Sequence, residues 1–433
     1  MVTEGWVRSQ AGSWVQPEGE ATPRSHLAKA CGQMRFASDL TLPGMLFGHA
    51  LRSPHPHCLI NSIDVRPALA MPGVHAALVA SDIPGVNCVG KTVEDQEFLV
   101  TRRARCVSDA LAIVAAESPE LAEAATSAIE LDLTPLPAVF DPEEALQAPA
   151  PLIHPGGNLL MDFRIEHGQA ERAMATADVI IEETYRFPWI EHAFLETESV
   201  LAAPDESGVI TVWLGAHTVY GERDVLSKAF GRPAERFRVI LTPAGGSFGG
   251  KDDNILPVWA ALLAERTGRP VRFVLSRKES IRSHSKRHMQ LIRHRLGAQA
   301  DGRLVAAQVR IVADTGAYAH WGKRILQFAS VQATGPYRMP NAQVEARVVY
   351  TNNLVAGAMR GWGTPGVEFA AEMQMDRLAH KLGMHPLRLR WINALRDGDT
   401  TITGRPVPPG CRLRETIQAA AQSVGLDLEE TSR

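Results

Sequence analysis

Alternating apolar and polar positions predict a mixture of strands and helices along most of the chain. Residues 26–132 alternate short apolar runs with polar turns, and they end in a helical pattern at 120–129 that leads into a strand pattern at 130–133. Strand runs broken by turns, with a helix near the end, are typical of a compact α+β unit.

Beyond about residue 160 the same pattern predicts strands and helices in alternation, which is typical of a mixed α/β layer structure. Strands are expected at 179–187, 209–214, 237–241, 293–300 and 304–313, and helices at 220–230, 253–267, 367–382 and 386–394. Prolines 135, 137, 142, 149 and 151 gather between the two regions and predict a connector ordered against the surface. The expected divisions are a tail at 1–26, an α/β unit at 27–133, a proline-rich connector at 134–160 and a larger domain at 161–433.

The sequence Ala-Gly-Gly-Ser-Phe-Gly-Gly-Lys-Asp at 244–252 lies between a predicted strand and a predicted helix. A glycine-rich strand-to-helix turn lets the backbone approach a cofactor closely and points free N–H groups at an anion. A bare tight turn, in which glycine only supplies a positive φ, is the alternative. Residues 245–251 also satisfy G-x-x-x-x-G-K, but Asp252 replaces the hydroxyl residue that would hold magnesium, which argues against a nucleoside triphosphate site.

Composition and charge exclude several classes of function. The 433 residues are 45% hydrophobic and 21% charged, which is an ordinary soluble composition with room for two or three domains. A net charge of −3 without a basic run gives no footprint for nucleic acid. No apolar stretch is long enough to span a bilayer and the amino terminus has no secretion signal, so no membrane partner and a cytoplasmic location are expected.

Cysteine and histidine spacing predicts no metal site made by the protein itself. The five cysteines are widely spaced with no C-x-x-C pair, so neither a disulfide framework nor a zinc or iron–sulfur site is encoded. His284 and His288 are four residues apart, but no glutamate of the metalloprotease pattern lies between them. A pair of surface histidines is the preferred interpretation.

Further motifs accompany the glycine loop in a fixed order. They are Pro43–Leu46, Arg52–Pro54, Glu191–Ala193, Asp314–Tyr318, Gly335–Tyr337, Tyr350–Asn352 and Ala358–Pro365. With these motifs, residues 27–425 resemble the molybdenum-binding subunit of the xanthine dehydrogenase and aldehyde oxidase family.

This resemblance implies a fold, a cofactor and partners. The fold would be α+β to mixed α/β, with an N-terminal hammerhead domain followed by the first of two molybdopterin-binding domains. Molybdenum would be held by the dithiolene of molybdopterin, possibly as the cytosine dinucleotide. The glutamate that serves as catalytic base in the family has no counterpart here. A second molybdopterin-binding subunit carrying that half is therefore expected, as in nicotinate-dehydrogenase-like enzymes, or else the chain is a truncated form. Iron–sulfur clusters and FAD are expected on further partner chains.

The resemblance also assigns roles to particular residues. The loops expected to line the cofactor contain Gly246, Phe248, Gly249 and Gly250 in the first, and Arg360, Gly361, Trp362 and Gly363 in the second. For Phe248 a place in the core is the alternative. Trp362 replaces the commoner phenylalanine, and the absence of cysteine from the second loop argues against the copper-containing carbon monoxide branch.

Three further side chains are expected to act on the substrate or the metal ligands. Asp252 matches an acidic residue that contacts the heterocycle, and Arg287 matches the arginine that orients substrate and stabilises developing charge. His217 replaces a glutamine that touches a metal oxygen, and a neutral imidazole can donate the same bond. For Asp252 and Arg287 an ordinary surface charge is the alternative, and His217 can instead face away from the site.

The function implied is oxidation of an N-heterocycle, purine-like or nicotinate-like, with oxygen from water and electrons passed to partner chains. Aldehyde or aryl-thioester oxidation is the alternative within the family. A catalytically inert structural or assembly subunit is the alternative from another class, although the retained glycine loops argue against it.

Overall fold

The structure is a computed structural model that describes residues 7–8, 14–15, 24–252 and 255–428. Most of the expected tail at 1–26 lies outside the described residues. The strands are β1 Val7–Arg8, β2 Trp14–Val15, β3 Leu46–Arg52, β4 Cys58–Asp64, β5 Val74–Val79, β6 Arg103–Ala104, β7 Ala110–Ala116, β8 Glu130–Pro135, β9 Leu159–His167, β10 Val179–Phe187, β11 Ser199–Pro204, β12 Ile210–Leu214, β13 Phe237–Leu241, β14 Val271–Val274, β15 Met289–Ala298, β16 Leu304–Gly316 and β17 Ala342–Tyr350.

The helices lie mainly in the second half of the chain. They are α1 Arg24–Ala30, α2 Arg66–Leu69, α3 Pro119–Ser127, α4 Pro142–Ala145, α5 Ala170–Met174, α6 Val219–Phe230, α7 Leu256–Thr267, α8 Arg277–Ser283, α9 Gly322–Ser330, α10 Thr364–Leu382, α11 Pro386–Asn393 and α12 Leu413–Ser423. None of the helices in the described part of the chain is long and apolar enough to cross a membrane.

The periodic pattern predicted the larger elements well. Strands β10 and β13 have the predicted bounds, and α6, α10 and α11 begin or end within three residues of theirs. The predicted start of the helix at 253 falls on residues outside the described part, and the helix is seen from Leu256. These elements were predictable because each has one buried face, which gives it a regular apolar period.

A seven-stranded sheet joins strands from both sides of the proline-rich segment. Its order is β13-β12-β11-β14-β3-β7-β5, with β14 parallel to β3 at the junction. Helix α7 covers this sheet, and its Trp259 is fully buried with the indole N–H donating to the Phe98 carbonyl at 3.0 Å. At Gly48 a Cβ would lie 2.1 Å from the ring of Phe273, so only glycine lets β3 pass this ring. The two halves therefore share one core.

A five-stranded sheet and a three-stranded sheet complete the layers. The five strands have the order β10-β15-β16-β17-β9, and α10 packs across β10 and β15. The three-stranded sheet has the order β6-β4-β8, and α3, capped by the Ser118 hydroxyl, packs against β3 and β7. The architecture is mixed α/β, as expected.

The proline-rich segment at 134–158 is packed against the rest of the protein. The side chain of Asn158 joins three backbone groups of this segment, since its Nδ2 donates to the carbonyls of Ala145 and Pro151 and its Oδ1 accepts from the N–H of Ile153. Ile153 and Asn158 are both buried. The domain boundaries expected after residue 133 and before residue 161 remain predictions. Strands from both sides of the proline-rich segment are joined in one sheet, so the sheet does not mark a boundary there.

Replacing Asn158 by alanine is expected to lower the free energy of unfolding by about 2–3 kcal/mol, because it leaves several buried backbone groups without partners. Urea denaturation followed by circular dichroism measures this loss. Asn61→Ala is the matched control, since Asn61 also makes two side-chain bonds but is exposed, and it should change stability by less than about 0.5 kcal/mol. Equal losses in the two variants would contradict the role given to Asn158.

Candidate functional site

The glycine loop at 244–252 connects β13 to α7, which confirms the predicted strand-to-helix turn. Its chain takes left-handed conformations at Gly246 with φ +102°, Phe248 with φ +51° and Gly249 with φ +103°. Phe248 is the only one of these that pays a steric penalty there, since it carries a Cβ. The backbone of this loop is therefore held in a conformation that its surroundings must maintain.

Close packing against other protein segments explains why the loop needs glycine. A Cβ at Gly249 would lie 2.6 Å from the carbonyl oxygen of Ala358, and one at Gly250 would lie 2.7 Å from the ring of Phe194. A Cβ at Gly245 would lie 2.5 Å from the side chain of Glu196. The glycines thus bring the loop against the segment 192–196 and against the second glycine loop, in addition to the closeness expected toward a cofactor.

A buried ion pair fixes the loop to that segment. Lys251 is only 1% exposed, and its Nζ lies 2.8 Å from Oε2 of Glu196. The same oxygen accepts from the N–H of Gly245 at 2.7 Å, and the ammonium lies 5.0 Å from the ring centroid of Phe194. Because Glu196 neutralises Lys251, this lysine is not placed to hold a phosphate, which agrees with rejecting the triphosphate interpretation.

The second glycine loop, at 358–363, lies directly beside the first. Gly361, Trp362 and Gly363 have φ values of +98°, +47° and +83°. The N–H of Arg360 donates to the carbonyl of Phe248 at 2.9 Å, so the two loops are joined by a backbone hydrogen bond. The structure therefore brings together the residues that the sequence placed in two separate cofactor loops.

Arg287 lies beneath the second loop. It is 7% exposed, and its Nη2 donates to the carbonyl of Arg360 at 2.6 Å. Its Nε and Nη1 have no hydrogen-bond partner among the residues that the structure describes. Burial lowers the pKa of this guanidinium from its ordinary high value. The alternative of an ordinary surface charge is wrong, and two buried donors remain for an anionic or carbonyl oxygen.

Asp252 lies at the end of the first loop among three donors. Nε1 of Trp321 donates to its Oδ2, while Nζ of Lys91 and Nδ1 of His217 each lie 3.6 Å from its Oδ1. The carboxylate side chain is 11% exposed, so for Asp252 too the surface alternative is wrong. His217 is 74% exposed, and its contact with Asp252 places it at the rim of this cluster. Lys91 and Trp321 were missed, because neither belongs to a motif with a regular spacing.

An aromatic pair stands next to Asp252. The rings of Trp321 and Trp362 have centroids 5.3 Å apart and planes inclined at 49°. Trp362 belongs to the second glycine loop, so the pair links that loop to the segment leading into α9. Aromatic faces beside a few polar groups are typical of sites that bind flat small molecules.

The outer side of the loops is apolar and open. Phe248 is 50% exposed, which makes the alternative of a core aromatic wrong. Leu195 is 92% exposed, and Tyr220 and Leu241 are also exposed. Phe248 lies on the first loop and Leu195 lies in the segment packed against that loop, and exposed large apolar side chains at such a place mark a site of contact with a ligand or another chain.

His284 and His288 are buried, so the prediction of a surface pair is wrong. His284 lies between two carboxylates, with Nε2 2.9 Å from Oε1 of Glu191 and Nδ1 3.0 Å from Oε1 of Glu198. Burial alone would raise the pKa of Glu198, but the hydrogen bond and charge of His284 together with further hydrogen bonds outweigh it, and the pKa is lowered. Burial lowers the pKa of His288 to about 3, which keeps that ring neutral.

Glu191, His192 and His284 have ligand atoms within 4.8 Å of one another, a spacing that suits a metal ion. However, Nζ of Lys286 lies 2.9 Å from Oε2 of Glu191, so a positive charge is already present there. His192 has a structural contact of its own, with Nε2 2.8 Å from the Ala358 carbonyl. The group is accounted for as a polar network that supports the two loops.

Comparison with known proteins places this geometry in a family. Residues 153–394 match the family described as molybdopterin cofactor-binding domain, and residues 31–137 match the aldehyde oxidase and xanthine dehydrogenase a/b hammerhead domain. A probable xanthine dehydrogenase subunit of Bacillus subtilis (strain 168) is 40% identical over 97% of this chain and 55% of its own length. The nicotinate dehydrogenase large molybdopterin subunit of Eubacterium barkeri is 37% identical over 92% of this chain and 93% of its own.

Solved structures show the same fold. The aldehyde oxidoreductase from Desulfovibrio gigas matches with a TM-score of 0.88 and 29% identity over 92% of this chain and 45% of its own. Quinoline 2-oxidoreductase from Pseudomonas putida 86 matches with a TM-score of 0.87 and 26% identity over 93% and 53%. This chain thus spans about half the length of the two solved structures and of the Bacillus protein. It spans nearly all of the Eubacterium protein.

Fold and site together define a molybdopterin cofactor-binding protein with a hammerhead domain. The chain belongs to the molybdenum-binding subunits of the xanthine dehydrogenase and aldehyde oxidase family. The expected fold and family are confirmed.

Lys251→Met is expected to lower the free energy of unfolding by about 3–5 kcal/mol, because it leaves the Glu196 carboxylate buried without its cation. The double variant with Glu196→Met should recover part of that loss, which chemical denaturation of the single and double variants would show. Arg303→Met is the control, since its partner Asp301 and Arg303 itself are exposed, and it should cost less than about 1 kcal/mol. A Lys251 variant as stable as this control would contradict the importance of the buried pair.

Proposed function

We propose that this chain forms the cofactor and substrate site of a molybdenum hydroxylase or dehydrogenase that oxidises an N-heterocycle, with oxygen taken from water. The observation that carries the proposal is the environment of Arg287. Its guanidinium is buried beneath the second glycine loop, and two of its nitrogen atoms have no hydrogen-bond partner among the described residues. A buried cation with free donors is costly unless an oxygen of a cofactor or substrate completes it.

The residues present fit molybdopterin. Among the described residues the backbone N–H groups of Phe248 and Gly249 have no hydrogen-bond partner, and they lie in the loop with left-handed φ values. Gly246, Phe248, Gly249 and Gly250 would hold the cofactor from one side, and Arg360, Gly361, Trp362 and Gly363 would hold it from the other. When bound, the cofactor supplies a molybdenum centre that accepts two electrons from the substrate carbon while water supplies the oxygen.

The protein side chains orient and polarise the substrate. Arg287 stabilises negative charge that develops on a ring or carbonyl oxygen, since fixed donors in a site shielded from water act strongly on such charge. Asp252 accepts a hydrogen bond from a ring N–H, and its own orientation is fixed by Trp321. His217, at the rim, would donate a hydrogen bond to an oxygen of the bound cofactor or substrate.

Partner chains complete the enzyme in this proposal. The exposed apolar side chains of Phe248 on the first loop and of Leu195 in the segment packed against it support a second molybdopterin-binding chain that covers the loops. That chain would carry the catalytic base. Iron–sulfur and FAD subunits would take the electrons, the pterin would be in the cytosine dinucleotide form, and the complex would be cytoplasmic.

An aldehyde substrate is the second candidate, and it is favoured by the likeness to the Desulfovibrio gigas aldehyde oxidoreductase. Asp252 separates the two, because a ring N–H needs an acceptor and an aldehyde does not. An inert assembly subunit would not need the unpaired donors of Arg287.

The test is purification of the native complex through a tag on this chain, with molybdenum, pterin and associated chains measured in the same sample. Stoichiometric molybdenum with turnover of purine or pyridine substrates supports the proposal. Turnover of aldehydes alone supports the second candidate. A chain recovered without metal or pterin would contradict both and favour the inert subunit.

Arg287→Met is expected to lower kcat/KM by about a hundredfold to a thousandfold, as for loss of a donor to developing charge. Molybdenum content should fall much less than turnover, because the guanidinium acts mainly on substrate and contributes only one hydrogen bond to the second loop. Steady-state kinetics with metal analysis checks both quantities. Unchanged turnover would remove Arg287 from the site.

Gly249→Val is expected to remove molybdenum and pterin from the complex. The new side chain would meet the Ala358 carbonyl and would require a left-handed φ, so the two loops would move apart. Metal content and the far-ultraviolet circular dichroism spectrum are measured together, and the spectrum should be unchanged. Gly268→Val is the control, since Gly268 also has a left-handed φ but has no atom within 4 Å of its added Cβ. Normal molybdenum in the Gly249 variant would contradict the cofactor role of the loop.

A further inference from the structure

A loop of the N-terminal domain reaches the substrate side of the site. Residues 89–96 form this loop, which is closed by a bridge between Val89 and Gln96. Thr92 donates from Oγ1 to the carbonyl of His320 at 2.8 Å, and Asp95 accepts from the N–H of Ala319 at 2.9 Å. The loop is thus fixed to the residues that immediately precede Trp321, at the aromatic pair.

Lys91 projects from this loop toward Asp252. Its Nζ lies 3.6 Å from Oδ1 of Asp252, which is longer than a hydrogen bond, and its side chain is 22% exposed. An ammonium group has three donors, and the pairing with Asp252 is electrostatic at this distance. Lys91 therefore offsets the charge of Asp252, and its ammonium makes no hydrogen bond to the residues that the structure describes, which leaves donors for a third group.

The aromatic pair of Trp321 and Trp362 indicates which shape of third group would fit beside Lys91. Trp321 is held in place by its N–H bond to Asp252, and Trp362 lies against it. Aromatic faces beside the charged pair of Asp252 and Lys91 suit a flat ring with a polar substituent. Asp252 alone would repel an anionic substituent beside it, whereas Lys91 offsets that charge and offers its ammonium donors to the substituent.

We propose that Lys91 is a specificity-determining residue that selects heteroaromatic rings bearing a carboxylate. The proposal rests on the heterocycle oxidation proposed above, and it adds the charge of the substrate and the residue that reads this charge. The domain that contains residues 89–96 then takes part in substrate choice as well as in the fold.

The experiment compares pyridine-3-carboxylate with its uncharged amide, using the native complex with wild-type Lys91, Lys91→Gln and Lys91→Arg. The ratio of kcat/KM for the acid to that for the amide should fall about tenfold or more in Lys91→Gln, mainly through KM, because a charge-assisted bond is lost. Lys91→Arg should keep most of the ratio. Lys278→Gln, on α8, is the control and should leave the ratio unchanged.

A binding measurement separates this inference from the proposed function. Calorimetric titration with benzoate and benzamide needs no turnover, and wild-type binding of benzoate should weaken with added salt whereas Lys91→Gln should lose this dependence. An unchanged acid-to-amide ratio, or equal loss for both substrates, would overturn the role of Lys91. Wild-type turnover of the amide but not the acid would overturn it while the heterocycle function stands. Absence of all heterocycle turnover, with benzoate binding still dependent on Lys91, would overturn only the proposed function.

Discussion

The buried ion pair between Lys251 and Glu196 is the constraint on which the site depends. It joins the end of the first glycine loop to the segment after residue 191, and Glu196 also holds the N–H of Gly245 at the start of the loop. Both ends of a loop with left-handed residues are thereby tied to one carboxylate. An isolated glycine-rich loop would sample many conformations, and this anchor restricts both of its ends.

The second loop is held by contacts that begin at the same segment. His192 contacts the Ala358 carbonyl, Arg287 donates to the Arg360 carbonyl, and Phe248 accepts from the Arg360 N–H. Each contact uses a backbone oxygen or N–H of one of the loops, so the loop conformation is specified by the protein itself.

The N-terminal and C-terminal parts of the chain contribute to one site because they share a sheet. Strand β14 pairs with β3, and this places the loop at 89–96 close enough for Asp95 and Thr92 to bond the residues before Trp321. Consequently the cluster around Asp252, which we propose as the substrate side, is built from separated segments of the chain. A substitution that alters the seven-stranded sheet would therefore also move Lys91 relative to Asp252.

The sequence by itself determined the fold class, the family, the larger helices and strands, and the two glycine loops. These follow from periodic burial and from short motifs, both of which are local properties of the chain. Only the tertiary structure decided that His284 and Arg287 are buried, that Phe248 is exposed, and that Lys251 is neutralised by Glu196. It alone brought Lys91 and Trp321 to Asp252. The physical reason is that charge pairing and burial depend on which distant segments meet, and no spacing along the chain records such a meeting.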